Sequence, residues 1–168
     1  MARRMLMLPL DLRTEVWFGL PDHLRGRFQA LSQWNLAELK WRLSKRNDLT
    51  FDAIESLMLE YRRYVGLILK EPDIIHPMGG SVDIVWHEHI IDTLDYSSFC
   101  AKVAGRFIHH VPNRRTEMSD GSLRDTWRTL SKLYNNVPQD VWCLSDSHCG
   151  GKCSDINALN EGSSMLAL

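Results

Sequence analysis

The sequence predicts an all-α fold: a compact single-domain helical bundle of four to six helices, ending in an irregular cysteine-containing C-terminal tail. Three observations predict it. Apolar residues recur at spacings of three and four through most of the first 138 residues, the periodicity of helices that bury one face. A chain of 168 residues with 44% hydrophobic content is enough for one sizeable core. Beyond residue 138 the periodicity fades and Ser, Asp, Asn and Gly accumulate, which divides the chain into a helical domain, 1–138, and an irregular Cys/His-containing tail, 139–168.

Taken in order, the chain opens on "MARRMLMLPLDLRTE", whose apolar run is cut by Pro9 and Asp11, too short for a signal or membrane segment. Asp22 to Arg46 carries Leu24, Phe28, Leu31, Leu36, Leu39 and Leu43 on one face and reads as a helix. Thr50 caps the next, whose stripe of Ile54, Leu57, Met58, Tyr61, Val65 and Ile68 runs until Pro72 stops it. "EPDIIHPMGGS" must turn, having Pro72, Pro77 and Gly79-Gly80. A third helix starts after Ser81 and runs to Gly105, with Val82, Val85, Trp86, His89, Thr93, Tyr96, Cys100 and Val103 on one side. Ile84 and Ile91 lie opposite, so this helix is expected to pass through the core. "RFIHHVPNRR" is extended, and a fourth helix begins at Ser122, burying Leu123, Trp127, Leu130 and Tyr134.

Charge and composition exclude several classes. A net charge of -1 argues against a disordered chain or a nucleic-acid coat, although residues 1–46 carry nine basic against four acidic side chains. The clusters "KWRLSKR", Arg62 with Arg63, and Arg114 with Arg115 are read as solvated helix faces rather than phosphate contacts. No apolar run reaches the roughly 18 residues that would suggest a membrane span, so no membrane partner is expected. The expected location is cytoplasmic, or within an intracellularly assembled complex. Trp41 is read as covering part of the core edge, but the six tryptophans Trp17, Trp34, Trp41, Trp86, Trp127 and Trp142 are more than so small a core can place centrally, which points one or two of them towards a protein partner or self-assembly.

The chemistry concentrates in "VDIVWHEHIIDTLDYSSFC", residues 82 to 100. On a helix His87 and His89 point about 200° apart and cannot grip one ion together. His89 faces inward beside Trp86, with Thr93 and Tyr96 one and two turns on; His87 shares its side with Asp83. After the Gly105 turn, His109 and His110 can fold back towards this helix. Converging imidazoles would suit zinc or iron, giving His89, His109, His110 and His87 as candidate metal ligands, with Asp83, Thr93, Tyr96 and Trp86 around them and His76 in reserve. The competing reading makes His89 a satisfied core group that donates one N–H to a carbonyl, accepts from a hydroxyl such as that of Tyr96 or Thr93, and carries no ion. Glu88 or Asp92 would serve as base in a catalytic variant of the site. No phosphate loop, H-E-x-x-H helix or nucleophile elbow is present, and no catalytic residue is assigned.

The span from Glu60 to Pro112 resembles the glycine-rich domain-containing protein-like family, on a pattern close to V-D-x-V-W-H-x-H followed by T-x-x-Y, a cysteine and a later histidine before proline. Here these are Val82, Asp83, Val85, Trp86, His87, His89, Thr93, Tyr96, Cys100, His109 and His110. The resemblance implies a helical domain with a polar, histidine-containing centre and no established reaction. The long glycine-rich tail of that family is missing.

In the tail, Cys143, Cys149, Cys153 and His148 offer a structural zinc site, a disulfide or free thiols, at a spacing unlike the common C-x2-C knuckles. The functional expectation is a non-catalytic binding or assembly module whose buried histidine network is a candidate for holding a transition metal, zinc or iron. The alternatives are a metal-dependent enzyme and a structural subunit that uses its thiol-rich tail for intermolecular contacts.

Overall fold

The computed structural model describes residues 8–46, 49–110 and 120–142. Among them it shows seven α-helices and no strand: α1 (Thr14–Gly19), α2 (Asp22–Gln33), α3 (Ala37–Arg46), α4 (Phe51–Lys70), α5 (Gly80–Ile91), α6 (Thr93–Ala104) and α7 (Asp120–Leu133). The all-α bundle is therefore as the periodicity predicts. Its helix count exceeds four to six because α1 is added and two expected helices are each divided.

Helix α4 is the axis, packing against α2, α3, α5 and α7. Thr50 caps it as expected, its hydroxyl accepting from the Ala53 amide. It buries Ile54, Leu57, Tyr61, Val65 and Leu67, a stripe wide enough to meet neighbours on several sides. Gly66 lets α4 approach α2 and Tyr134 closely, since a Cβ there would lie 2.7 Å from Phe28 Cε1.

The expected Asp22–Arg46 helix is broken at Trp34-Asn35-Leu36. Asn35 Oδ1 accepts from the Ala37 amide at 3.0 Å and starts α3. Arg62 reaches across from α4 to the carbonyls of Leu31, Ser32 and Trp34, satisfying the end of α2. That guanidinium is spent inside the fold.

The expected helix from Ser81 to Gly105 also divides, at Asp92, whose φ of -81° and ψ of 76° leave the helical region. Asp92 Oδ1 then accepts from the Asp95 amide at 3.2 Å and caps α6. Arg42 from α3 fastens this corner, pairing with Asp92 at 3.0 Å and with Glu88 at 3.3 Å. In consequence α5 does not run through the core: Ile91 is 62% exposed, and Thr93, expected inward, is exposed at the start of α6. Val82, Val85, Trp86, His89, Tyr96, Cys100 and Val103 are buried as the wheel predicts. Gly105, at φ 69°, ends α6 in the left-handed conformation.

A second buried network closes the bundle. Arg63 is 2% exposed and pairs with Glu60, which is 1% exposed, at 2.7 Å. The Trp142 indole N–H donates to the other Glu60 oxygen at 3.0 Å, and Arg63 donates to the carbonyls of Leu10 and Asn136. Packing thus continues through Val141 and Trp142, past the point where periodicity is lost at residue 138. No helix among the described residues is long and apolar enough to cross a membrane.

Candidate metal centre

Helix α5 carries Asp83 and His87 one turn apart on its outer side, the i and i+4 positions of one face. The extended segment after α6 lies along that face, because the Tyr96 hydroxyl donates to the Ile108 carbonyl at 2.5 Å and Ile108 is buried. Two residues later His110 arrives beside Asp83, with Nε2 2.8 Å from Oδ1. His87 Nε2 lies 3.7 Å from the other Asp83 oxygen, and the two imidazole rings are 4.5 Å apart. One donor atom from each of the three residues falls within 4.8 Å of the other two. Tetrahedral coordination with bonds near 2 Å would set donors about 3.3 Å apart, so a bound ion would draw the more distant of these atoms inward.

The setting orients the donors. Trp86 packs edge-on against His110 with ring centroids 4.6 Å apart, and its indole N–H donates to the Tyr96 hydroxyl at 2.9 Å. His110 and Asp83 are half-buried while His87 is exposed, so one side of the cluster opens to solvent.

His89 stands apart from this group. It is wholly buried among Tyr61, Tyr96 and Phe99, with ring centroids at 5.7, 5.1 and 4.9 Å. Both ring nitrogens are engaged: Nδ1 with the Tyr61 hydroxyl at 2.8 Å and Nε2 with Asp95 Oδ2 at 2.9 Å. Burial lowers its proton affinity more than the Asp95 bond raises it, so the ring is neutral. Burial also holds the Tyr61 phenol well above its ordinary value. The tautomer follows: Nε2–H donates to the carboxylate, and Tyr61 O–H donates to Nδ1. With no lone pair left over, this is the satisfied core histidine.

The expected ligands are therefore separated. The structure brings His87 and His110 together with Asp83, which the sequence places around the site rather than in it; His89 belongs to the core, and exposed His109 packs on Phe107 at 5.0 Å. Of the surrounding residues, Trp86 and Tyr96 form the bonded support, whereas exposed Thr93 makes no side-chain hydrogen bond among the described residues. His76 Nε2 faces Glu71 at 2.9 Å, away from the cluster. Cys143, Cys149, Cys153 and His148 lie outside the described residues.

Two polar partners were not read from the sequence. Tyr61 sits in an apolar stripe like any core aromatic, and nothing local marks it as the partner of His89. Asp95 was legible only once Asp92 is taken as a cap, because the break there swings Asp95 back under His89.

A family model described as UCP032817-like matches residues 26–141, from within α2 to the approach of Trp142, and so spans every residue of the cluster and of the His89 network. The chain belongs to the UCP032817-like family. The resemblance of residues 60–112 to the glycine-rich domain-containing protein-like family is overturned by this match, which covers more than twice that span. The motif residues that carried it are a core histidine, its aromatic neighbours and a surface cluster. No curated protein and no solved structure matches this UCP032817-like chain.

Proposed function

We propose that this UCP032817-like chain is a metal-binding helical module, holding one divalent transition ion, zinc or ferrous iron, through Asp83, His87 and His110. The observation that carries the reading is the meeting of three donors from two separate elements within 4.8 Å. Two imidazoles and a carboxylate match the preferences of these ions. Three protein donors leave a coordination position open on the exposed side, where a donor from a partner molecule would complete the sphere. The function is then metal-mediated binding.

A metal-dependent enzyme would use the same open position for water. Against it, the two carboxylates expected to act as base are committed elsewhere: Glu88 and Asp92 both pair with Arg42 at the α5–α6 corner. Binding is therefore the better-supported reading.

Titration of chelator-treated full-length protein with Zn2+ and with Co2+, followed by calorimetry and by the cobalt visible bands, tests it. One equivalent should bind, and His87→Ala and His110→Ala should each weaken binding by at least tenfold with helix content unchanged. Binding that persists undiminished in both variants would place the ion elsewhere and sink the proposal.

A further inference from the structure

Between the end of α2, the α2–α3 linker and α6 lies an open cavity of about 510 Å³, lined among others by Gln33, Trp34, Asn35, Glu38, Asp95 and Lys102. Its volume lies in the range of small-molecule sites. None of these residues belongs to the metal cluster.

Asp95 distinguishes this cavity from an ordinary surface hollow. A solvated carboxylate needs no internal support, yet Asp95, with its side chain 38% exposed, is held from behind by a completely buried imidazole. His89 gives its only N–H to Asp95 Oδ2, and Tyr61 fixes the ring from the far side. The capping bond from the Asp95 amide to Asp92 fixes the backbone. Two layers of support for one carboxylate at a cavity wall are how proteins hold a ligand-contacting group in a single orientation. The other Asp95 oxygen makes no hydrogen bond among the described residues.

The rest of the lining sets the ligand's chemistry. Glu38, on a different helix, supplies a second carboxylate, and Trp34 supplies an indole, braced edge-on against Phe99 at 5.7 Å. Two carboxylates with an aromatic ring favour an ammonium group. Lys102 adds a cation and Asn35 and Gln33 add amides, which suit an anionic or carbonyl end. The geometry points to a binding site for a small ammonium-bearing zwitterion of amino-acid size, anchored by Asp95.

Nuclear magnetic resonance on the nitrogen-labelled full-length protein tests this, with chelator present so that the outcome is independent of the metal centre. The probes share one body: L-phenylalanine, phenethylamine and hydrocinnamate. L-phenylalanine should shift the amides of Trp34, Asn35 and Asp95 saturably, phenethylamine more weakly and hydrocinnamate not at all. Asp95→Asn should weaken L-phenylalanine by at least tenfold. Because that variant also disturbs a core partner, Lys102→Met at an exposed position is the companion, and should weaken L-phenylalanine while leaving phenethylamine unchanged or tighter. Hydrocinnamate binding as well as L-phenylalanine, no saturable shift at these amides, or indifference to Lys102→Met would each overturn the proposal.

Discussion

Two histidines one residue apart do different work. His89 is wholly buried with both nitrogens bonded, whereas His87 is exposed and lies beside Asp83 and His110. His89→Ala removes two hydrogen bonds, leaves the Tyr61 hydroxyl unpaired and opens a void among three aromatic rings, and should cost about 2–4 kcal/mol of stability. His87→Ala should cost less than about 0.5 kcal/mol while weakening the proposed metal binding at least tenfold. Chemical denaturation of both variants, set beside their zinc titrations, checks this crossed pattern; a His87→Ala protein as destabilised as His89→Ala would contradict it. The alternating placement was legible from the helical angle between them. The partners were not: which donor meets which acceptor depends on Tyr61 and Asp95, brought close by tertiary packing.

Among the elements, the two broken helices show where periodicity informs and where it misleads. Between Leu31 and Leu36 the apolar stripe takes a step of five, a change of phase that marks the end of α2. No such step occurs at Asp92, because the stripe from Val82 to Val103 keeps its phase across the break. The available signal there was the capping pattern of Asp92 followed by Asp95. Asp92 is held below the usual carboxylate range by the Asp95 amide and by Arg42. A carboxylate whose folded proton affinity is depressed adds stability that is present above its unfolded value near 4 and lost as pH falls through the folded value. Asp92→Asn keeps a capping side chain but loses the charge. Its deficit relative to wild type should be full at pH 7 and shrink as pH drops below 4, as followed by urea melts at each pH; a deficit independent of pH would remove the ion pair from the account. Helix α4 has a tighter constraint. Gly66→Ala would drive a methyl into Phe28 and the Tyr134 hydroxyl and should destabilise by about 1–3 kcal/mol in thermal melts, although alanine favours helix elsewhere.

Across the whole molecule, the all-α class and the central α4 followed from hydrophobic spacing, because burial of one face dominates the energetics of a chain this size. The Glu60–Arg63–Trp142 network did not. A charged pair within an apolar helix face looks like part of a solvated edge, and only the return of a segment some 80 residues later covers it. Arg63→Met would leave Glu60 buried with the Trp142 N–H alone and should cost roughly 3–5 kcal/mol, whereas Arg63→Met combined with Glu60→Leu should recover much of that loss. Equilibrium unfolding of the single and double variants measures the difference; equal losses would mean that packing, not the stranded charge, sets the cost.

The same guanidinium has a dynamic corollary. Leu10 and Asp11 near one end of the described chain and Asn136 near the other all meet at Arg63, and Leu12 bridges Tyr134 beside it. Neither end can peel away without stripping partners from a guanidinium that is buried in the folded chain. Deuterium uptake at Leu12 and at Trp142 should therefore rise and fall in step, as one opening event rather than two frayed ends.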